Sequence, residues 1–513
     1  MVTLETSEST ADQRSGILCN IKRFVTLLMI CVVVIGLGIL LGHLFSSSES
    51  ASLTVSVLTI VAVMLVIIHR PLNGLLILLM LEPFIESWIE IPLGAGIPDL
   101  SFSRFTIAFL AIFALARAAT GKFQFTRIGL AEVSIVAMSI GMITSAPLAA
   151  NPKGMIQSTI TLYFAPLTIY FFAKNLVQGE KDLDRLLLTM TILGFVAATY
   201  AIYEQTTGNI LFLPKGESAD MLGTAYTENL RLIRGLLGRS GNFARVLIST
   251  IPITFYLFFE SKSVIRKALM VGMLVVQAFG VFVTYNRTSW IALLVGLFIL
   301  QFFYPQFRKV YLIIVLVSAV VLWVTWDQVS ESTVVEERVN SKVSTLEGRE
   351  ARWAAGYNMW RVKPIRGWGF GRYEERSGRF RTDGERRNFL AIENDYLHIL
   401  VGSGLVGFLP YLLFLLAPLV NSLWLFRRVS ASDWSGFVKS ATIAVYWAVL
   451  LAFAIGSYTQ KQTQPVVKMI PFALAGAVVG SHEHRLRGSM VVKRQPTNSP
   501  PSAIVEETGE ELV

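Results

Sequence analysis

Charge is scarce in this chain, and so are cysteine and histidine. Only 16% of its 513 residues are Asp, Glu, Lys or Arg, where an ordinary soluble domain carries roughly 25%. That deficit excludes a soluble enzyme or a nucleic-acid binder built on a charged surface. Two cysteines, Cys19 and Cys31, lie near or inside the first apolar run. They exclude a disulfide framework and a cysteine metal site. The five histidines are scattered, with His482 and His484 in a basic tail. No cluster has metal-ligand spacing, so neither a metal nor a cofactor is expected.

What is present is apolar sequence, 53% of the chain. It comes in runs of about 17–25 residues, the length that crosses a bilayer. The spacing predicts an all-α, polytopic helical bundle of about 14 runs. They start near Phe24, Leu53, Leu72, Arg104, Ile128, Ile156, Leu183, Phe243, Ala268, Ser289, Val310, Gly402, Ser440 and Val466. The third and the last read as short. "FVTLLMICVVVIGLGILLGHLF" is too long for a signal h-region of about 7–15 residues, so it reads as a first anchor. The expected organisation is a cytoplasmic leader over 1–23, then transmembrane helices over 24–326 with an Arg-bearing outer loop at 205–242. A large periplasmic loop follows over 327–395, further transmembrane helices over 396–484, and a disordered cytoplasmic tail over 485–513.

Charge orients the runs. Alternate connections carry compact basic clusters, such as Arg117 with Lys122 and Arg127, Lys174 with Lys181 and Arg185, Lys262 with Arg266 and Lys267, and Arg427-Arg428. By the positive-inside rule these are cytoplasmic, as are both termini. Two outer loops break the rule. One leads into "NLRLIRGLLGRSGNFARVL", with Arg231, Arg234, Arg239 and Arg245; the other, 327–395, balances its acids almost wholly with arginine. Arginine presents a planar fork that pairs bidentately with phosphate oxygens. The arginines therefore suggest an outer-face site for a phosphate-bearing anion, the alternative being Arg–Glu pairing within a folded loop. Arg287 stands in a very short outer turn before "TSWIALLVG", either functional or snorkelling to the headgroups.

In "EGREARWAAGYNMWRVKPIRGWGFG" the first half has helical spacing, with Trp353, Tyr357 and Trp360 on one face, which suits a helix lying at an interface. The glycines after Lys363-Pro364 predict tight turns, and such a loop can cradle a phosphate on its N–H groups. The loop ends in "IENDYLHILVGSGLVGF". Here Glu393 is a candidate general base and His398 a second one, with Asn394 and Tyr396 positioning the site and Asp395 capping the helix. Glu82, Glu86 and Glu90 recur at helical spacing and read as a solvated face sooner than as an acceptor path.

At these residues the sequence resembles the O-antigen ligase and O-antigen polymerase superfamily of bacterial envelope glycosyltransferases. The resemblance rests on "NRTSWIALLVG", on "GREARWAAGYNMWRVKPIRGWGFG", on "ENDYLHILVGSGLVG" and on "YEQTTGNILF", over roughly Tyr203 to Phe408. Where the family has a frequent histidine, this chain has Glu393. The resemblance implies an undecaprenyl diphosphate-linked glycan donor at the periplasmic face of the bacterial inner membrane, and an acceptor glycan or lipid. It also implies a chain-length regulator and a flippase as partners, and metal-independent transfer. Arg287 would then act in catalysis, and Arg234, Arg239, Arg245, Arg352 and Arg366 would bind diphosphate or glycan. Polymerisation of O-antigen or exopolysaccharide repeats is the first expectation, ligation to lipid A-core or protein the second. A transporter is a third; it would show paired broken helices and charge at the midplane, whereas charge here gathers at the outer rim.

Overall fold

The computed structural model describes residues 49–86, 90–91, 100–211, 233, 236–324, 346–382, 384, 386–389, 391–429 and 436–494. The helices are α1 (Glu49–His69), α2 (Pro71–Ile85), α3 (Phe102–Ala119), α4 (Leu130–Ser145), α5 (Pro152–Leu176), α6 (Glu180–Thr207), α7 (Ser240–Glu260) and α8 (Val264–Val283). They continue with α9 (Arg287–Leu300), α10 (Phe307–Val324), α11 (Leu346–Val362), α12 (Arg372–Arg376), α13 (Asp395–Val429), α14 (Ser440–Thr459) and α15 (Val466–Arg494). A two-stranded antiparallel ribbon, β1 (Glu90–Ile91) with β2 (Leu100–Ser101), joins α2 to α3.

The chain is an all-α polytopic membrane protein. Among the described residues, 8 helices are long and apolar enough to cross a membrane: α3 to α8, α13 and α14. Each expected run from Leu53 onward coincides with a helix; the run from Phe24 lies outside the described residues. Helix starts follow local chemistry. Asn151 caps α5 by accepting from the Gly154 N–H at 3.0 Å, with Pro152 in the first turn, where its missing N–H costs nothing. Large apolar side chains such as Val271, Val275 and Phe279 on α8 stay exposed, as a lipid-facing surface requires.

The last run is short as an apolar stretch but sits within a longer helix. α15 has 29 residues, and its first half, Val466 to Ser481, is buried throughout. Gly476 and Gly480 lie against the carbonyls of Tyr170 and Lys174, so a side chain at either position would meet the α5 backbone. Small residues four apart let two helices approach where lipid supplies no hydrophobic drive. α15 also continues as helix through Arg485 to Arg494, so the first part of the expected disordered tail is helical.

The helices alternate between two ends. At the lip end lie the starts of α7, α13 and α15 and the end of α14, tied by Arg245 to Gln460, Asn242 to Thr463 and Lys468 to Asp395. At the far end Lys439 meets Glu260 at 2.6 Å and Arg266 meets Asp184 at 2.5 Å.

α13 is broken. Gly404 adopts φ +62°, and residues 364–369 of the long loop enter the gap. The N–H groups of Leu405 and Val406 donate to the carbonyls of Pro364 and Ile365 at 2.8 and 3.1 Å; those of Trp368 and Gly369 donate back to Val401 and Gly402 at 2.8 and 2.9 Å. A Cβ at Gly404 would strike the Ile365 carbonyl, and Gly367 at φ +69° approaches Gly404 as closely, so both need glycine. The glycine-rich loop was read as a possible phosphate cradle. Its Trp368 and Gly369 N–H groups are instead spent on the broken helix.

Candidate functional site at the lip end

Among the described residues, two besides glycine have positive φ: Tyr285 and Glu393, both at 49°. Each stands directly before an asparagine that caps a helix. The Asn286 side chain accepts from Ser289 N–H at 3.2 Å, and that of Asn394 from Leu397 N–H at 2.9 Å. Each cap is followed by a charged residue, Arg287 or Asp395. Left-handed backbone at a residue with a side chain is strained, and such strain gathers at functional sites. Asp395 was expected to be the cap; Asn394 takes that place, because Asp395 points inward and is 0% exposed.

Inside, Asp395 meets Lys468 of α15 at 3.1 Å, with both side chains buried. Its other oxygen lies 3.3 Å from the Gln462 N–H and 3.5 Å from the Tyr163 hydroxyl. Lys468 Nζ also stands 3.6 Å from the Tyr163 ring centre, a cation–π distance. Tyr163 reaches this point from a π-turn, Ile160–Phe164, inside α5; such turns reset the face a side chain presents. The Tyr163 hydroxyl is also 3.3 Å from His398 Nδ1, and the Phe370 ring covers His398 from the loop side. Arg245 completes the cluster. It is buried, one nitrogen donates to Gln460 at 2.8 Å, and Nη1 has no partner among the described residues. Gly456 leaves it room.

Outside, the Glu393 carboxylate is about one-third exposed and lies 2.9 Å from buried Arg352 and 3.7 Å from Arg349. Arg352 is fixed by Gly348, whose carbonyl accepts from Nε at 3.0 Å, and by Tyr373, whose hydroxyl donates to the Arg352 carbonyl at 2.9 Å. Burial pushes the Tyr373 hydroxyl above the usual phenol range, so it stays a donor. α11 buries Arg352, Ala355, Gly356 and Met359. The aromatic residues stand on its other side: Trp353 against Tyr458, and Tyr357, half exposed, beside Trp360.

A helix boundary bearing a strained carboxylate outside and an unmatched guanidinium inside can hold an anion and accept a proton next to it.

Residues 272–412 match the family model of O-antigen ligase. The match supports the O-antigen ligase and polymerase superfamily, and with it a membrane enzyme of glycosyltransferase type. An uncharacterized protein of Haemophilus influenzae is 29% identical over 320 residues, covering 56% of this chain and 78% of that protein.

The O-antigen ligase region holds Arg287, Arg349, Arg352, Arg366, Glu393, Asn394, Tyr396 and His398. Tyr163, Arg245 and Lys468 lie outside it and are brought in by α5, α7 and α15. Of the residues singled out from sequence, Glu393 and Arg352 pair with each other. Tyr396 is half-buried and directs its hydroxyl toward the Ala454 carbonyl at 3.4 Å. Arg239 is exposed just before α7, near Arg245, and Arg366 is exposed on the docked loop. Arg287 is the first residue of α9; its side chain, like Arg231 and Arg234, lies outside what is described. The solvated reading of Glu82 is corrected: it is 0% exposed, while Glu86 holds Ser101 and Ser103 at 2.6 and 2.7 Å. Sequence reading missed Tyr163 and Lys468. Lys468 did leave a signal, as a lone cation in "QPVVKMIPFALAGAVVG", where an ionisable residue is functional by default. Tyr163 left none, since its place depends on the π-turn.

Proposed function

We propose that the chain transfers a glycan from an undecaprenyl diphosphate-linked donor at the periplasmic face, and that it polymerises O-antigen or exopolysaccharide repeats. The observation that carries this is Arg245: a buried guanidinium with no carboxylate at ion-pair distance among the described residues and a nitrogen without a partner among them, beside the turn that bears Glu393. Asp395 acts on Arg245 but is already paired with Lys468, so two buried cations share one carboxylate; such an imbalance is costly, and a diphosphate would supply further negative charge. Arg287 and Arg239, at the starts of α9 and α7, flank the same end. These arginines bind the diphosphate and stabilise the charge that grows on it as it leaves. Glu393 takes the proton of the acceptor hydroxyl, with Arg352 and Arg349 orienting its carboxylate. His398 is enclosed by Tyr163 and Phe370, which favours Glu393 as the base. The transfer needs no metal in this reading. Ligation to lipid A-core or protein is the second reading, favoured by the family description itself.

The test is turnover of undecaprenyl diphosphate-linked repeat units by purified, folded variants. Glu393→Gln keeps size and hydrogen bonding but removes the base, and should lower kcat by roughly a hundredfold. Glu393→His should retain measurable turnover. Normal turnover in Glu393→Gln with loss in His398→Ala would move the base to His398. Sidedness is checked separately, in a chain with Cys19 and Cys31 replaced. A cysteine at Ala351 should react with an impermeant maleimide in intact cells, and one at Arg428 should not.

A further inference from the structure

The turn at 393–395 is pinned from two sides. Glu393 points out and is gripped by Arg352 and Arg349 on α11. Two residues on, Asp395 points in and is gripped by Lys468, the Gln462 amide and the Tyr163 hydroxyl. Asn394 between them caps the helix. A left-handed glutamate persists only where its surroundings over-determine it. The outer grip alone cannot do this, because α11 belongs to the loop and Glu393 is partly exposed. The inner grip is buried, joins three helices (α5, α13 and α15), and contains the Asp395–Lys468 ion pair.

We propose that Lys468 and Tyr163 are positioning residues for Glu393: by holding Asp395 they fix the left-handed turn from which Glu393 meets the acceptor. The role rests on Glu393 being the base, but the mechanical claim does not. Lys468 supplies the charge that keeps Asp395 inward. Tyr163 orients both, with its ring under the ammonium and its hydroxyl toward the carboxylate. The π-turn in α5 is the local device that brings the ring there. Lys468 itself touches no reacting atom in this arrangement. Its loss acts through backbone geometry one turn away, so it should lower kcat and leave the acceptor KM nearly unchanged.

The experiment uses full-length protein in nanodiscs. It combines hydrogen-exchange mass spectrometry of the segment 393–400 with turnover of undecaprenyl diphosphate-linked repeat units. Lys468→Met should speed exchange at Asp395 to His398 by about tenfold or more, because an unpaired buried carboxylate drives local opening. A far-end segment around Lys174 should not change. The neutral double variant D395N/K468M should return exchange to within roughly threefold of the parent, since two matched neutral groups leave no buried charge. Tyr163→Phe, which removes only the hydroxyl, should give a smaller increase and a lower kcat at unchanged KM. Unchanged exchange in Lys468→Met, or a double variant as fast as the single, overturns the proposal. Where Lys468→Met yields no folded protein, Tyr163→Phe decides: parental exchange and parental kcat overturn it. Glu393→Gln separates the two readings. Normal turnover there, with fast exchange in Lys468→Met, defeats the base assignment and leaves the fixed turn standing.

Discussion

The molecule buries charge at both ends of its bundle, and the two clusters differ in how completely they are matched. At the far end Lys174 uses all three ammonium hydrogens. It meets the Arg127 carbonyl at 2.7 Å, Glu132 at 2.8 Å and Glu483 at 2.9 Å. The carboxylates use their second oxygens too, Glu132 on the Gly129 N–H at 2.8 Å and Glu483 on the Arg127 N–H at 2.6 Å. At the lip end, among the described residues, Arg245 bonds only to a neutral amide, and Arg245 Nη1, Gln462 Oε1 and Asn242 Oδ1 are left over. A saturated cluster has nothing to offer a ligand, so it joins helices. An unsaturated one keeps hydrogen-bonding capacity in a place where that is costly, which makes it the better candidate for binding.

The comparison breaks most visibly at Lys174. Lys174→Met leaves buried Glu132 and half-buried Glu483 without a cation and should destabilise the fold by about 3–5 kcal/mol. Thermal unfolding in detergent measures this, while turnover per folded molecule should stay near the parent value. Arg245→Gln and Arg287→Ala should do the reverse. Each should lower turnover by roughly a hundred- to a thousandfold, the scale for removing a donor that stabilises transition-state charge, with little change in melting temperature. Lysine at either position should restore little, since it lacks the bidentate fork. Normal turnover by well-folded Arg245→Gln would make the lip cluster another structural joint. The smallest effects come from the caps. Asn286→Ala and Asn394→Ala should each cost about 1 kcal/mol in unfolding experiments. If both turns serve the reaction, each should lower kcat by more than that loss explains.

Period and length made the helices legible, because a bilayer leaves an apolar run few alternatives to a helix. The run at Val466 reads as short because its glycines and lysine dilute the apolar signal; those residues serve its packing against α5 and its pairing with Asp395. The outer arginines were legible as exceptions to a charge rule. Arg245 lies buried at the lip and Arg352 pairs with Glu393, placements the charge rule does not give. Which of the three residues caps, and with which cation each carboxylate pairs, could not be read from "END". That choice follows from the left-handed Glu393, which rotates Asp395 inward, and from Lys468, far along the chain. The glycine loop was legible as turns but not as a plug, because the gap it fills at Gly404 exists only once α13 has formed.

α15 has a consequence in time as well as space. Chains emerge N-terminus first, so of the described helices the one carrying Lys468 is made after all the others. Until it inserts, α5 lacks the partner for its Tyr170–Lys174 face, Glu132 lacks Glu483 beside it, and Asp395 lacks its ion-pair partner. Both ends of the bundle therefore close in a single late assembly step. A nascent chain arrested before that step would carry the whole stretch that matches the O-antigen ligase model, residues 272–412, yet hold its lip unset.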